Sequence, residues 1–272
     1  MSQSDRIGLI AGGGKFPLLV ADSARQRGWK VFAVAYKGET SPELCDKVDD
    51  ITWIGLGQFG HLLSALKTKG VTRALMAGTI AKAKTLSNIR PDAKGLALIG
   101  KLFLFHDDDI LRAVADALEK EGITVVSSTL CLPELIAPSG YLTKRKLRSE
   151  EREDIECGWM IAKELGRLDI GHSVVVKRRT VVAVETIEGT DKTILRGGEL
   201  ARKHAVVVKV SKPHQDLRFD LPAIGPETIK NMITVNASAL AIEAGKTIIF
   251  DKAETIRLAN RHGIAIISKD SP

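Results

Sequence analysis

Cysteine is scarce in this chain. Cys45, Cys131 and Cys157 are odd in number, far apart and never in a CxxC spacing. That argues against a disulfide framework and a structural zinc site, and it suits a reducing compartment. Aromatic residues make up only 4% of the 272 positions. Stacking platforms for nucleic acid are therefore few, and no recognised nucleic-acid motif replaces them. No apolar run approaches the ~20 residues that span a bilayer. The run Ile7–Ile10 is too short for a secretory signal core, and no basic region precedes it. The chain is expected to be cytoplasmic, at most peripheral to a membrane. What is present is a 44% hydrophobic content, enough for cores built from Val, Ile, Leu and Ala, and a net charge of +7. The positive balance favours anionic partners, nucleotides or an acidic membrane surface rather than nucleic acid.

The first half alternates short apolar runs with amphipathic stretches, the pattern of βαβ units. Strands are predicted at Ile7–Ile10, Lys30–Ala35, Ile51–Ile54, Arg73–Ala77 and Ile123–Ser127. Helices are predicted at Lys15–Arg27, Gly60–Lys69 and Asp107–Glu121, each stopped by a glycine. This rhythm implies a parallel, doubly wound sheet over residues 1–132. Pro133, Pro138, Gly140 and the basic run Lys144–Arg148 read as a linker over 133–148, the basic run being a solvated stretch or a membrane-surface contact. Residues 149–272 form a second α/β domain of mixed order. It opens on a helix capped by Ser149, then a hairpin of Ser173–Lys177 and Thr180–Glu185. Helices follow at Thr193–His204, Glu227–Ala244 and Ala253–Arg261, with strands at Ala205–Val210, Thr247–Phe250 and Ile264–Ile267.

Five places are candidates for chemistry. Gly12-Gly13-Gly14 lies between the first strand and first helix, where glycines let a backbone approach a phosphate and the helix offers free N–H groups. Gly78-Thr79 occupies the same place after a later strand, with Lys82 in reach of an anion. The turn suits a phosphate better than NAD. Pro17 stands where the third glycine of GxGxxG would fall, and Ala35-Tyr36-Lys37 lacks the acid that binds a ribose. A plain tight turn remains the alternative at both glycine sites. The segment Lys209–Gly225 crowds Lys209, Lys212, Arg218, Asp216, Asp220, His214 and Gln215 around two prolines. Cations for phosphate oxygens, with a carboxylate for a metal or a water, are what phosphoryl chemistry needs; a charged turn is the plainer reading. Finally, Glu185, Glu188 and Asp191, gathered with Asp220, would make a water-retaining Mg²⁺ site. Asp191 reads equally as a helix cap. His106-Asp107-Asp108-Asp109 is a further cation candidate that capping explains as well.

Taken in order, the blocks Leu9–Gly14, Ala77-Gly78, Pro91–Leu96, Asp108-Asp109, Leu168–Gly171, Val184–Asp191, Lys212–Gln215 and Asp220–Gly225 are familiar. Nearly the whole chain resembles the magnesium-dependent, LpxI-type family of UDP-2,3-diacylglucosamine pyrophosphatases of lipid A biosynthesis. The resemblance implies a Rossmann-like N-terminal domain for UDP and a C-terminal domain for the diacylated sugar phosphate. The implied activity is hydrolysis by water attack on the α-phosphorus, releasing UMP and 2,3-diacylglucosamine 1-phosphate. It places Asp220 in catalysis, while Glu188, Thr190, Asp191, Lys212 and Gln215 match family positions. His172 departs from a glutamine expected in some relatives. The expected site is therefore Asp220, Lys212 and Gln215 for catalysis; Gly12, Gly13, Gly14, Gly78, Thr79, Lys209 and Thr190 for substrate; and Asp220, Asp191 and Glu188 for Mg²⁺. The expected partner is a lipid-linked sugar nucleotide met at the cytoplasmic face of the inner membrane. The oligomeric state stays open, a homodimer included. The alternatives are an NAD-dependent nucleotide-sugar oxidoreductase or epimerase, and a non-catalytic UDP-lipid carrier.

Overall fold

Strand β1 (Arg6–Ala11) is apolar at nearly every position because it is covered on both faces, with Ile7, Leu9, Ile10 and Ala11 all buried. Around it, in a computed structural model that describes residues 6–80, 90–99 and 107–271 (the side chains of 99 and 107–109 excepted), the first half of the chain is regular. After β1 come α1 (Phe16–Gln26), β2 (Lys30–Tyr36), β3 (Asp50–Ile54), α2 (Phe59–Thr68) and β4 (Arg73–Ala77). Then follow α3 (Ala93–Ile99), α4 (Asp107–Lys120) and β5 (Thr124–Val125). The strands pair in parallel in the order β3-β2-β1-β4-β5, the doubly wound arrangement the alternating pattern implies. Helix α2 shows why the helices lie on this sheet. Phe59, Leu62, Leu63 and Leu66 fall on one face at i, i+3, i+4 and i+7 and join Ile10, Val34 and Met76 in a single core. Gly70, at φ +64°, ends the helix in the left-handed conformation glycine adopts without strain.

The chain divides into two units, Met1–Pro133 with Asp216–Asp220, and Glu134–Gln215 with Leu221–Pro272. The short return of 216–220 to the first unit was not foreseen. Phe219 packs against the first unit's core, Arg218 pairs with Glu119 and Asp216, and the Arg218 carbonyl accepts the Ser128 N–H at 3.2 Å.

The second unit contains β6 (Gly140–Tyr141), α5 (Ser149–Arg167), β7 (Ser173–Lys177), β8 (Thr180–Val184), α6 (Thr190–Ala201) and β9 (Val206–Lys209). It continues with β10 (Ala223–Ile224), α7 (Pro226–Thr234), β11 (Ala239–Glu243), β12 (Ile248–Ile249), α8 (Lys252–Arg261) and β13 (Ala265–Lys269). Six strands form a mixed sheet in the order β6-β13-β11-β9-β7-β8, and β10 pairs with β12 separately. The middle pairs, β13 with β11 and β11 with β9, are parallel; β6, β7 and β8 join antiparallel. The predicted hairpin turns on Arg178 and Arg179, at φ +50° and +60°. That is the double left-handed turn normally given to Asn-Gly. Here the Asp154 carboxylate, on α5, accepts both of their N–H groups, at 3.1 and 2.5 Å, and so offsets the strain.

Three expectations are corrected. Residues 133–148 are not a linker. Tyr141 pairs with Ile267, Ala137 and Leu147 are buried, and Arg145 forks onto Glu151 with two bonds of 2.9 Å while donating to the Gly263 carbonyl at 2.6 Å. The basic run looked solvated because its acidic partner lies six residues on, in the next helix. Ser149 does not cap that helix either; it is its first residue, and Glu151 accepts the Arg148 N–H at 2.8 Å. The long helix predicted over Glu227–Ala244 is a helix and a strand. Helix α7 stops at Thr234, Asn236 turns the chain at φ +52°, and Ala239–Glu243 becomes β11, buried along its whole length in the middle of the sheet. A strand apolar on both faces has no alternation to betray it.

Candidate active site

In the first unit the glycine turn follows β1 and the Gly78-Thr79 turn follows β4. These neighbouring strands are the ones at which the sheet order reverses. Ligands of doubly wound sheets bind at the carboxyl ends of such strands. The two turns touch, and they do so through backbone. The Gly12 N–H donates to the Ala77 carbonyl at 2.8 Å, the Gly13 N–H to Thr79 O at 2.6 Å, and the Thr79 N–H to Gly13 O at 3.1 Å. A Cβ on Gly12 would lie 2.6 Å from Thr79 O, and one on Gly78 would lie 2.5 Å from Gly13 O. Glycine at 12 and 78 is therefore required by loop packing itself. Gly14 differs. It is exposed, sits at φ +84° with open space where a Cβ would be, and leads into α1. It is the part of the turn left facing solvent. Beside it, Thr40 donates to the Ala11 carbonyl at 2.5 Å and accepts the Tyr36 N–H at 2.9 Å, closing the end of β2. Burial pushes the Tyr36 phenol up to about 12, so it stays neutral.

In the second unit, Glu188, Gly189, Thr190, Asp191, Lys209, Ala223 and Thr228 line a pocket of about 270 Å³. The fold explains why these residues meet. Strand β8 ends at Val184, the Glu185–Gly189 turn leads into α6, β9 ends at Lys209 beside it, and β10 and α7 supply the far wall. The first turns of α6 and α7 both reach the pocket, and helix N-termini carry partial positive charge. Lys209 adds a full one. It is only 7% exposed, and its Nζ donates to Thr190 Oγ1 at 2.8 Å. Thr190 in turn donates to Glu185 Oε1 at 2.8 Å, and His172 Nε2 stands 3.5 Å from Glu185 Oε2. Burial pushes the Glu185 carboxyl up, but the charges of His172 and Lys209 and the hydroxyls of Ser173 and Thr190 outweigh it, so Glu185 lies below the usual carboxylate range and stays ionised. A small site with one buried cation and two helix N-termini is suited to an anion of phosphate size.

The structure thus brings Glu188 and Asp191, expected as metal ligands, together with Thr190 and Lys209, expected at the substrate. Lys212 and Gln215, in the same unit, are not among the residues that line the pocket. Lys212 Nζ pairs with Asp169 at 2.5 Å, and the Gln215 side chain accepts the Lys212 N–H at 3.0 Å to close its own turn. Asp220 belongs to the segment docked on the first unit, where its N–H donates to the Asp216 carbonyl at 3.1 Å. Ala223, inside the segment Lys209–Gly225, and Thr228, beyond it, were not expected as site residues, since neither side chain carries a charge or a motif position that marks it. Lys82 and His106, and the side chains of Asp107–Asp109, lie outside the described residues.

Among the described residues no group of three or more His, Cys, Asp or Glu side chains is arranged to hold a metal ion. The donor set at the pocket fits magnesium in one way only, as an ion that keeps most of its waters and shares a substrate phosphate. Asp191, exposed at the pocket wall, is the carboxylate open to it. Glu188 is engaged: Arg196 and Thr193 both donate to its Oε1, and the Arg196 bonds first of all hold its carboxyl below the usual range.

Fold and site together define a class, a two-unit α/β protein with a doubly wound first unit and an anion-receptive pocket in the second. Sequence models of the LpxI N-terminal domain and the LpxI C-terminal domain match residues 6–135 and 138–267. The UDP-2,3-diacylglucosamine pyrophosphatase LpxI of Caulobacter vibrioides is 33% identical over 276 residues, covering 97% of this chain and 98% of that protein. The chain belongs to the LpxI family. Among solved structures, the biotin carboxylase domain of Hydrogenobacter thermophilus 2-oxoglutarate carboxylase aligns with 73% of this chain at 13% identity, and the chain spans 40% of that one. The TM-score of 0.28 is too low to carry an argument.

Proposed function

We propose that this chain hydrolyses UDP-2,3-diacylglucosamine to UMP and 2,3-diacylglucosamine 1-phosphate, a step of lipid A biosynthesis. The observation that carries the reading is end-to-end relationship: both LpxI domains match, and the curated pyrophosphatase aligns over 97% of the chain. The chemistry of the pocket agrees with it. A pyrophosphate diester repels nucleophiles through its anionic oxygens, so catalysis consists of neutralising charge and aligning a water. Lys209, with the first turns of α6 and α7, supplies the positive field in the second unit. Gly14 and the start of α1 take the UDP portion in the first. Asp220 aligns the attacking water; the water oxygen bonds to the α-phosphorus, the bond to the bridging oxygen breaks, and the sugar phosphate leaves. Magnesium, when bound, neutralises phosphate charge, with Asp191 as its protein ligand. Lys212, paired with Asp169, and Gln215 hold the loop leading to Asp220.

No helix among the described residues is long and apolar enough to cross a membrane. The two acyl chains of the substrate then call for transient contact with the cytoplasmic face of the inner membrane. The oxidoreductase alternative gains nothing, since β2 ends at Tyr36 without a ribose-binding acid.

Incubation with UDP-2,3-diacylglucosamine and Mg²⁺ is expected to release UMP, with ¹⁸O from labelled water in the UMP; label in the sugar phosphate contradicts attack at the α-phosphorus. Asp220→Ala is expected to lose turnover by about a thousandfold or more while still binding substrate. An active Asp220→Ala enzyme removes that residue from the mechanism.

A further inference from the structure

Lys209 and Glu185 are both inside the second unit, 7% and 8% exposed, and carry opposite charges. Two such groups at close range ordinarily settle into a contact pair, because mutual neutralisation is the cheapest way to keep charge out of water. Here they do not touch directly. The Thr190 hydroxyl stands between them, accepting from Lys209 Nζ at 2.8 Å and donating to Glu185 Oε1 at 2.8 Å. A hydroxyl has one proton to give, and this one is directed at the carboxylate, which turns an oxygen lone pair toward the ammonium. Ser173 Oγ lies 3.4 Å from the same hydroxyl, and His172 faces the other oxygen of Glu185. Gly171 packs against the backbone that carries Glu185, so closely that a Cβ there would lie 2.2 Å from the Glu185 backbone carbonyl oxygen.

We propose that Glu185 and Thr190 are positioning residues for Lys209. Glu185 compensates the buried ammonium at one remove, and Thr190 is the spacer that keeps it at the pocket wall, which Lys209 lines, instead of collapsed onto the carboxylate. Thr190 thereby acts through Lys209 rather than as a substrate contact, and Glu185, charged at the end of an apolar strand, has its reason. The assignment rests on the hydrolase reading for its kinetic arm alone.

The test uses the full chain in two assays. In the first, Thr190→Val lowers kcat for UMP release about tenfold with KM changed less than about threefold, and Thr190→Ser, which restores the hydroxyl, recovers most of the loss. Glu185→Gln lowers kcat by a similar factor, because the neutral amide no longer compensates the buried ammonium and is a weaker acceptor for the Thr190 hydroxyl. In the second, inorganic pyrophosphate is titrated calorimetrically, and Thr190→Val weakens its binding about tenfold. If Glu185 were only a negative charge competing with the substrate, Glu185→Gln would bind pyrophosphate more tightly and turn over no more slowly. That result, or a Thr190→Val protein matching wild type in both assays, overturns the proposal. A wild-type protein that releases no UMP but binds pyrophosphate in a Thr190-dependent manner retains the positioning role and removes the hydrolase reading. Melting temperatures separate a folding defect from a loss of position, and the isosteric Thr190→Val keeps the test open where Glu185→Gln fails to fold.

Discussion

Both units turn from the end of a strand into a helix at the place where chemistry is expected, and they build that turn from opposite materials. In the first, Gly12-Gly13-Gly14 packs backbone against the Gly78-Thr79 backbone, with the Gly12 and Gly13 N–H groups donated to protein carbonyls. In the second, Glu185–Asp191 packs charged and hydroxyl side chains against Lys209. A glycine turn draws its capacity for anions from the absence of side chains, so one added methyl disrupts it. A charged turn draws it from a buried ion with a compensating partner, so one lost hydroxyl or charge disrupts it. The first should fail by loss of stability and the second by loss of rate.

The sharpest way to break that contrast is to remove the cation. Lys209→Ala is expected to lower kcat for UMP release by about a thousandfold, the upper range for loss of a single charge-stabilising donor. Lys212→Ala is expected to cost less than about tenfold, because Lys212 is already paired with Asp169. Equal losses would mean that the two lysines share one task.

Next comes the methyl test on the first unit, read by denaturant unfolding. Gly12→Ala and Gly78→Ala each place a Cβ within 2.6 Å of a backbone oxygen and are expected to cost about 3 kcal/mol. Gly14→Ala meets no atom and is expected to cost about 1 kcal/mol, from its left-handed backbone alone. If Gly14→Ala costs stability as heavily as Gly12→Ala, the distinction between the packed and the solvent-facing part of the turn is wrong.

A further contrast concerns acid, and it should mark the second unit. Glu243 is fully buried. Burial pushes its carboxyl up, but bonds from Lys163, Lys246, Ser271 and Ser211 bring it down to about 2. Because the folded value lies below the ordinary 4.5, the stabilisation is complete above pH about 4.5 and is lost as pH falls from there toward 2. Urea unfolding of wild type should therefore weaken across that window, and Glu243→Gln should flatten the dependence while starting from a lower stability at neutral pH.

How much of this was legible follows the same division. In the first unit, buried parallel strands and glycine-stopped helices each leave a mark in their own few residues, and the strands and helices predicted there are present with shifts of a residue or so at most ends. In the second, the marks mislead. Ala239–Glu243 continues the apolar pattern of α7 and becomes a strand only because Asn236 adopts a left-handed turn and β9 and β13 take it between them. Arg145 reads as solvated until Glu151 is brought back against it. At the pocket, Lys209, Thr190, Glu188 and Asp191 were each visible as residue types suited to phosphate or its metal, but among the described residues no three carboxylates are arranged to hold an ion, and Arg196 pairs with Glu188.

The α/β class, the doubly wound first half and the family can be read from residue order alone, because periodicity, glycine stops and ordered blocks of residues are local properties of the chain. Which glycines are packed and which face solvent, that Lys209 lines the pocket while Lys212 pairs with Asp169, and that a hydroxyl separates Lys209 from Glu185 are visible in the three-dimensional arrangement alone. Those outcomes depend on distances of a few ångströms between segments far apart in the chain, and a side chain's chemistry says what it can hold, not what the fold will place beside it.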